Sequence, residues 1–93
     1  MDPRLVRSPK AKIKSKIDVL VEENDFSIAI FKYGKSKKIG IRWNATEFSS
    51  KGFPTSRGVP TWFILPKRVA IAYVRQIGNV SAYNALIQVE EGF

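Results

Sequence analysis

The tripeptide Gly34-Lys35-Ser36 is the first stretch whose residue types could do chemistry, because it matches the end of a phosphate-binding loop. Such a loop needs G-x-x-x-x-G-K-[ST], since its first glycine opens the turn that wraps the phosphates. Here the position of that first glycine is Ala29, inside an apolar run, and the residues after Ser36 alternate like a strand. A cradle of N–H groups at a helix N-terminus therefore has nowhere to form. The chain has no cysteine and no histidine. That excludes disulfides, thiolate nucleophiles, Cys/His zinc sites and imidazole acid–base catalysis. Serines and threonines are plentiful, but no base stands ready to activate one. Of the eight acidic residues, Glu22, Glu23 and Asp25 cluster where a turn is expected and the others are scattered. A non-enzymatic protein without metal or cofactor is the expectation.

The charge balance points elsewhere. Sixteen basic residues against eight acidic ones leave a net charge of +8 on 93 residues, a surplus that favours polyanionic partners. Its densest part is "FKYGKSKKIGIRW", where Lys32, Lys35, Lys37, Lys38 and Arg42 lie within eleven residues and Phe31 and Tyr33 precede the turn. Cations that track phosphates beside aromatic rings that stack on bases are the means by which single strands are held, at roughly 1–3 kcal/mol per stacked base. A duplex hides its base faces, so exposed rings would favour single-stranded DNA or RNA. Lys51 and Arg57, in the following loop, are further candidate phosphate contacts.

The elements that must position these residues follow from periodicity. Residues 1–15 carry prolines and spaced lysines and arginines and read as a basic flexible tail. Residues 16–93 read as one domain with a thin core. Ile17, Val19 and Val21 alternate in a first strand. Phe26, Ile28 and Ile30 share one face of a second, with Ser27, Ala29, Phe31 and Tyr33 on the other. Ile39, Ile41 and Trp43 share a face of a third, with Lys38, Gly40, Arg42 and Asn44 opposite. The stretch "NATEFSSKGFPTSRGVP" is too rich in glycine and proline for a helix, and "TWFIL" supplies a fourth strand. Pro66 then suits the first position of a helix whose apolar stripe is Val69, Ala70, Tyr73, Val74 and Ile77, closed by Gly78. In the final segment, Ser81 to Phe93, a short helix capped by Ser81 and running through Leu86 is expected, with an edge strand over "ALIQVEE" as the alternative. The sum is an α+β domain, an antiparallel four-stranded β-meander followed by a C-terminal helix packed on the sheet. No apolar run reaches the roughly 20 residues of a membrane span, and residues 1–16 lack the apolar centre of a secretory signal. An intracellular protein, cytoplasmic or nucleoid-associated, is expected.

With this order of elements, "YGKSKKIGIRW" and "TWFILPKRVAIAYVRQI" resemble the single-stranded-DNA-binding domain of the positive cofactor four family of transcriptional coactivators. The resemblance covers about residues 17 to 78. In that family an aromatic precedes a short basic hairpin loop and an arginine follows nine residues later, as Tyr33 and Arg42 do here. The Leu65-Pro66 junction is similar to the one that opens the family's helix. The family's further aromatic falls at Ala45 in this chain, and Trp43 is nearer but on the opposite face. The resemblance implies a homodimer, formed through helix and sheet edges, that holds unpaired strands and acts as a transcription or replication accessory factor. The alternative from a different class is a small interaction module that binds an acidic protein through residues 52–63, with Trp62 or Phe53 as anchor.

Overall fold

The structure is a computed structural model that describes residues 2–8, 12–13, 16–44, 51–57 and 59–90. Six strands, β1 (Asp18–Glu22), β2 (Phe26–Tyr33), β3 (Ser36–Trp43), β4 (Thr55–Ser56), β5 (Val59–Pro60) and β6 (Phe63–Ile64), precede helices α1 (Lys67–Gln76) and α2 (Val80–Ile87). The main sheet is antiparallel, in the order β1-β2-β3-β6, while β4 and β5 form a separate two-stranded ribbon. The α+β meander expected from periodicity is therefore present. Its fourth strand is shorter than "TWFIL": only Phe63 and Ile64 pair, with Ile41 and Gly40.

The register puts the alternations of β2 and β3 on the faces expected of them, whereas at β1 Ile17 and Val19 pack on one face of the sheet and Val21 on the other. Ile28 pairs with Ile41 and Ile30 with Ile39, while Ser27 pairs with Arg42 and Ala29 with Gly40. A bulge between Val19 and Val21 absorbs one extra residue in β1. On one face, Val21, Ile28, Ile30 and Ile39 form a core with Ala70 and Val74 of α1 and Ala82 and Leu86 of α2. Pro66 sits at the N-cap of α1, one position earlier than expected, and Gly78 turns the chain at φ 71°. Helix α2 is capped by Asn79 and not by Ser81, since the Asn79 side chain accepts from the Ala82 N–H at 2.9 Å, and the segment is a helix and not an edge strand. The end of the final segment, residues 91–93, lies outside the described residues.

The second face is where the structure departs from expectation. The basic N-terminal segment is not a loose tail: its described part is packed across the sheet. A short 3-10 turn, Pro3–Leu5, is capped by Asp2, whose carboxylate accepts from the Arg4 N–H at 3.0 Å. Val6, Ile13 and Ile17 are buried with Ala29, Phe31 and Trp62 in a second apolar cluster. The Trp62 indole N–H donates to the Val6 carbonyl at 2.8 Å, and the Gly34 N–H donates to the Lys12 carbonyl at 2.8 Å. Three apolar side chains spaced among lysines are enough to dock the segment, since full burial of each contributes roughly 1.5–3 kcal/mol. Lys10 and Lys14 lie outside the described residues.

Gly40 shows how tight this layer is. A Cβ built there would stand 2.5 Å from the Phe31 ring and 3.1 Å from the Trp62 Cβ. Only a residue without a side chain lets the Phe31 ring lie across β3 and meet Trp62, at a centroid distance of 5.6 Å.

Candidate nucleic-acid interface

The β2–β3 hairpin closes in two residues, since Tyr33 pairs with Ser36. Gly34 takes φ 65° at the first of them, a conformation that glycine adopts without strain. The turn projects Lys35 and leaves Lys32 and Lys37 directly opposite one another on the neighbouring strands, all three exposed. Like charges facing each other across a sheet are destabilising, on a scale of roughly 0.2–1 kcal/mol per pair. Tyr33 is half-buried on the other face of the hairpin, packed against the second apolar cluster with Phe31, and the Gly34–Lys12 hydrogen bond brings the exposed Lys12 to the same end of the sheet. Lys38 is half-buried and leaves the strand on the opposite face from Lys37.

Two of the expected contact residues are elsewhere. Phe31 is 2% exposed, so its ring faces are occupied by the second core. Arg42 is also 2% exposed, and its guanidinium donates to the carbonyls of Thr61, at 2.5 Å, and Lys51. Burial pulls the Arg42 side chain below its ordinary pKa. The reason lies in the N-terminal cover and the 51–61 loop, which turn the Phe31/Arg42 face of the sheet into an interior. Arg42 works there as a staple, tying both ends of that loop to β3. Gly52 belongs to the same arrangement: its φ is 68°, and a Cβ there would stand 2.8 Å from the Arg42 guanidinium.

Lys51 and Arg57 are exposed on the loop. Arg57 is itself in the left-handed region, at φ 54°. Lys51 is separated along the sheet from Lys32, Lys35 and Lys37, because its carbonyl is held by Arg42 near the end of β3 that is remote from the hairpin turn, and Arg57 belongs to the separate β4–β5 ribbon. The structure thus gathers Lys32, Lys35, Lys37 and Lys12 at the hairpin end, with Tyr33 on the face opposite Lys32 and Lys37. It sets Lys51 and Arg57 apart and buries Phe31 and Arg42. The family-like aromatic position, Ala45, lies outside the described residues.

Charge is segregated along β2. The basic turn is at one end of this eight-residue strand, and Glu22, Glu23 and Asp25 are at the other, roughly 25 Å away at about 3.3 Å per residue. Other exposed rings gather near the acidic end: Trp43 is 52%, Phe53 54% and Phe63 46% exposed, with Phe53 against Phe63 at 5.5 Å between centroids. Trp62, the other anchor considered for the 52–63 loop, is only 8% exposed. Sequence reasoning misses Phe63 because it sits inside an apolar strand run, where burial is the ordinary outcome. Among the described residues, no helix is long and apolar enough to cross a membrane, and no cluster of acidic side chains could hold a metal ion. No family model, curated protein or solved structure matches the chain.

Proposed function

We propose that the chain is a non-enzymatic, intracellular nucleic-acid-binding protein that takes single strands, DNA in preference to RNA, at the β2–β3 hairpin end. The observation that carries this reading is the pair Lys32 and Lys37 facing each other beside Lys35. A fold gains nothing from opposing lysines, whereas a phosphate between them is held from both sides. Tyr33, on the other face of the same hairpin end, is the ring available to stack on a base of a strand that passes around the turn. Phe31 and Arg42 take no direct part, and Lys51 and Arg57 serve as remote contacts for a longer strand. A transcription or replication accessory role and a homodimer belong to this proposal on the strength of the family resemblance.

The test is a fluorescence-anisotropy titration of a labelled single strand, with the matching duplex as competitor, at two salt concentrations. Tight binding that weakens with salt and resists the duplex supports the proposal. Equal binding to both forms would reduce the protein to a general polyanion binder. Absence of binding at low salt would remove the reading.

A second reading has its own observation. Phe53 and Phe63 are exposed and in contact beside the open edge of β6, an apolar patch of the kind that marks protein contacts. An interaction module would use Phe53 as its anchor, with Lys51 and Arg57 facing an acidic partner. Replacing Phe53 so that partner binding is abolished while nucleic-acid affinity is unchanged would favour it.

A further inference from the structure

The geometry points to a binding site for a small alkylated-ammonium ligand in the recess between α1 and the acidic end of the β2–β3 pair. This site is independent of the nucleic-acid reading and lies at the opposite end of the sheet. The recess has a volume of about 290 Å³ and is walled by Phe26, Ile41, Trp43, Phe63, Val69 and Tyr73. It exists because α1 uses only part of its apolar stripe. Ala70 and Val74 are buried against the sheet, while Val69 is exposed and Tyr73 half-exposed.

Three rings converge there. Phe26 lies 6.2 Å from Trp43 at an interplanar angle of 79° and 5.5 Å from Tyr73 at 68°. Walls set steeply against a central ring offer π surface from more than one direction, the arrangement that attracts a cation within about 6 Å of the ring centroids. An ordinary ammonium would lose much of its hydration on entering an apolar recess. A quaternary ammonium is weakly hydrated and coated in methyl groups, so it suits both the rings and the aliphatic walls.

The rim supplies the complementary charge. The Asn44 N–H donates to the Asp25 carbonyl at 2.8 Å, and its side-chain amide donates to the Glu23 carbonyl at 2.8 Å. These bonds fix the acidic turn against the end of β3 that carries Trp43. Asp25 also directly precedes Phe26. The Tyr73 hydroxyl is pushed above its ordinary pKa by burial and then by the charges of Glu23 and Asp25. Arg42 contributes to the wall, but its guanidinium is held by the Thr61 and Lys51 carbonyls. Its position between Ile41 and Trp43 sends that side chain to the other face. In a protein of net charge +8, an aromatic recess beside carboxylates is the part suited to a cation and unsuited to a phosphate. Its volume fits a compact head group and not a folded partner.

The test is titration of the full chain with choline and, in parallel, with 3,3-dimethylbutan-1-ol, the neutral isostere of the same shape. Trp43 emission and the NMR shifts of Phe26 and Tyr73 report occupancy. The expected result is saturable binding of choline, with the isostere weaker by about 3- to 30-fold, the range of one to two cation–ring contacts. The E23Q/D25N double variant changes only exposed side chains and keeps the fold intact. It should weaken choline several-fold and leave the isostere unchanged. Equal binding of choline and the isostere, or no shift of the Phe26 and Tyr73 resonances with choline, overturns the assignment.

Discussion

Arg42 separates two accounts of this protein, and replacing it decides between them. As a phosphate contact it would contribute to affinity and little to stability. As a staple it does the reverse. The guanidinium makes two hydrogen bonds to main-chain carbonyls, at Thr61 and Lys51, and is 2% exposed. Hydrogen bonds to a charged group contribute roughly 1.5–3 kcal/mol each. The cost of keeping a guanidinium from water offsets part of this, and water entering the vacated space would satisfy some of the orphaned carbonyls. A net loss of about 2–4 kcal/mol is therefore expected for Arg42→Met, which keeps most of the aliphatic packing. For a domain of this size each kcal/mol shifts Tm by roughly 4–8 °C, so a fall of about 10–25 °C is predicted. Thermal unfolding followed by circular dichroism measures it, and limited proteolysis should show faster cleavage within residues 51–61. At a temperature where Arg42→Met is folded, the salt dependence of oligonucleotide binding should match that of the parent protein. A variant with unchanged Tm but a shallower salt slope would refute the staple and return Arg42 to the nucleic-acid surface.

Three further outcomes are expected. Gly40→Ala should destabilise the fold by about 1–3 kcal/mol, the ordinary cost of overpacking, because the new methyl meets the Phe31 ring; chemical denaturation measures it. Lys35→Ala combined with Lys37→Ala should lower the slope of log K against log salt by about 1.4 for single strands, at about 0.7 for each phosphate no longer neutralised, while Tm rises slightly because Lys32 loses the like charge opposite it. The N-terminal turn should loosen in acid. The Asp2 carboxylate is held below its ordinary value of 3.8 chiefly by the Arg4 N–H, so its stabilising effect is complete above that value and disappears as pH falls through the lower folded one. Faster hydrogen exchange at Arg4 below pH ~4 would show it, and exchange independent of pH, once corrected for intrinsic rates, would contradict it.

Strand identity and facing were legible because period-two alternation is strong in β2 and β3, and every pair from Phe26–Trp43 to Tyr33–Ser36 falls in register. Whether a face is open or covered is a different matter, since alternation is blind to what lies above it. Phe31 and Arg42 share the expected face but not the expected exposure. One signal was there to read: Ser27, Ala29 and Gly40 are all small and all on that face, which leaves room for a covering segment. Val6, Ile13 and Ile17 were the apolar residues available to fill it, and the lysines between them masked the pattern. The ribbon of β4 and β5 was not legible because a two-residue strand carries no period. The recess at Tyr73 was hidden for a related reason. A stripe at helical spacing shows which residues could be buried, and only the placement of α1 shows that Val69 and Tyr73 stop short.

The hydrogen bond from Trp62 to Val6 joins residues 56 positions apart in the chain. The hairpin of β2 and β3 closes over neighbouring residues and can form early, whereas this bond must wait until Trp62 has been made. Loop-closure entropy places such distant pairings late in folding. The segment synthesised ahead of the sheet thus completes its docking only after Trp62 has arrived, and until then the Phe31 face of the sheet is incompletely covered. That interval is when the nascent protein is most exposed to wrong partners, and the lysines and arginines interspersed along the segment keep it soluble while it waits.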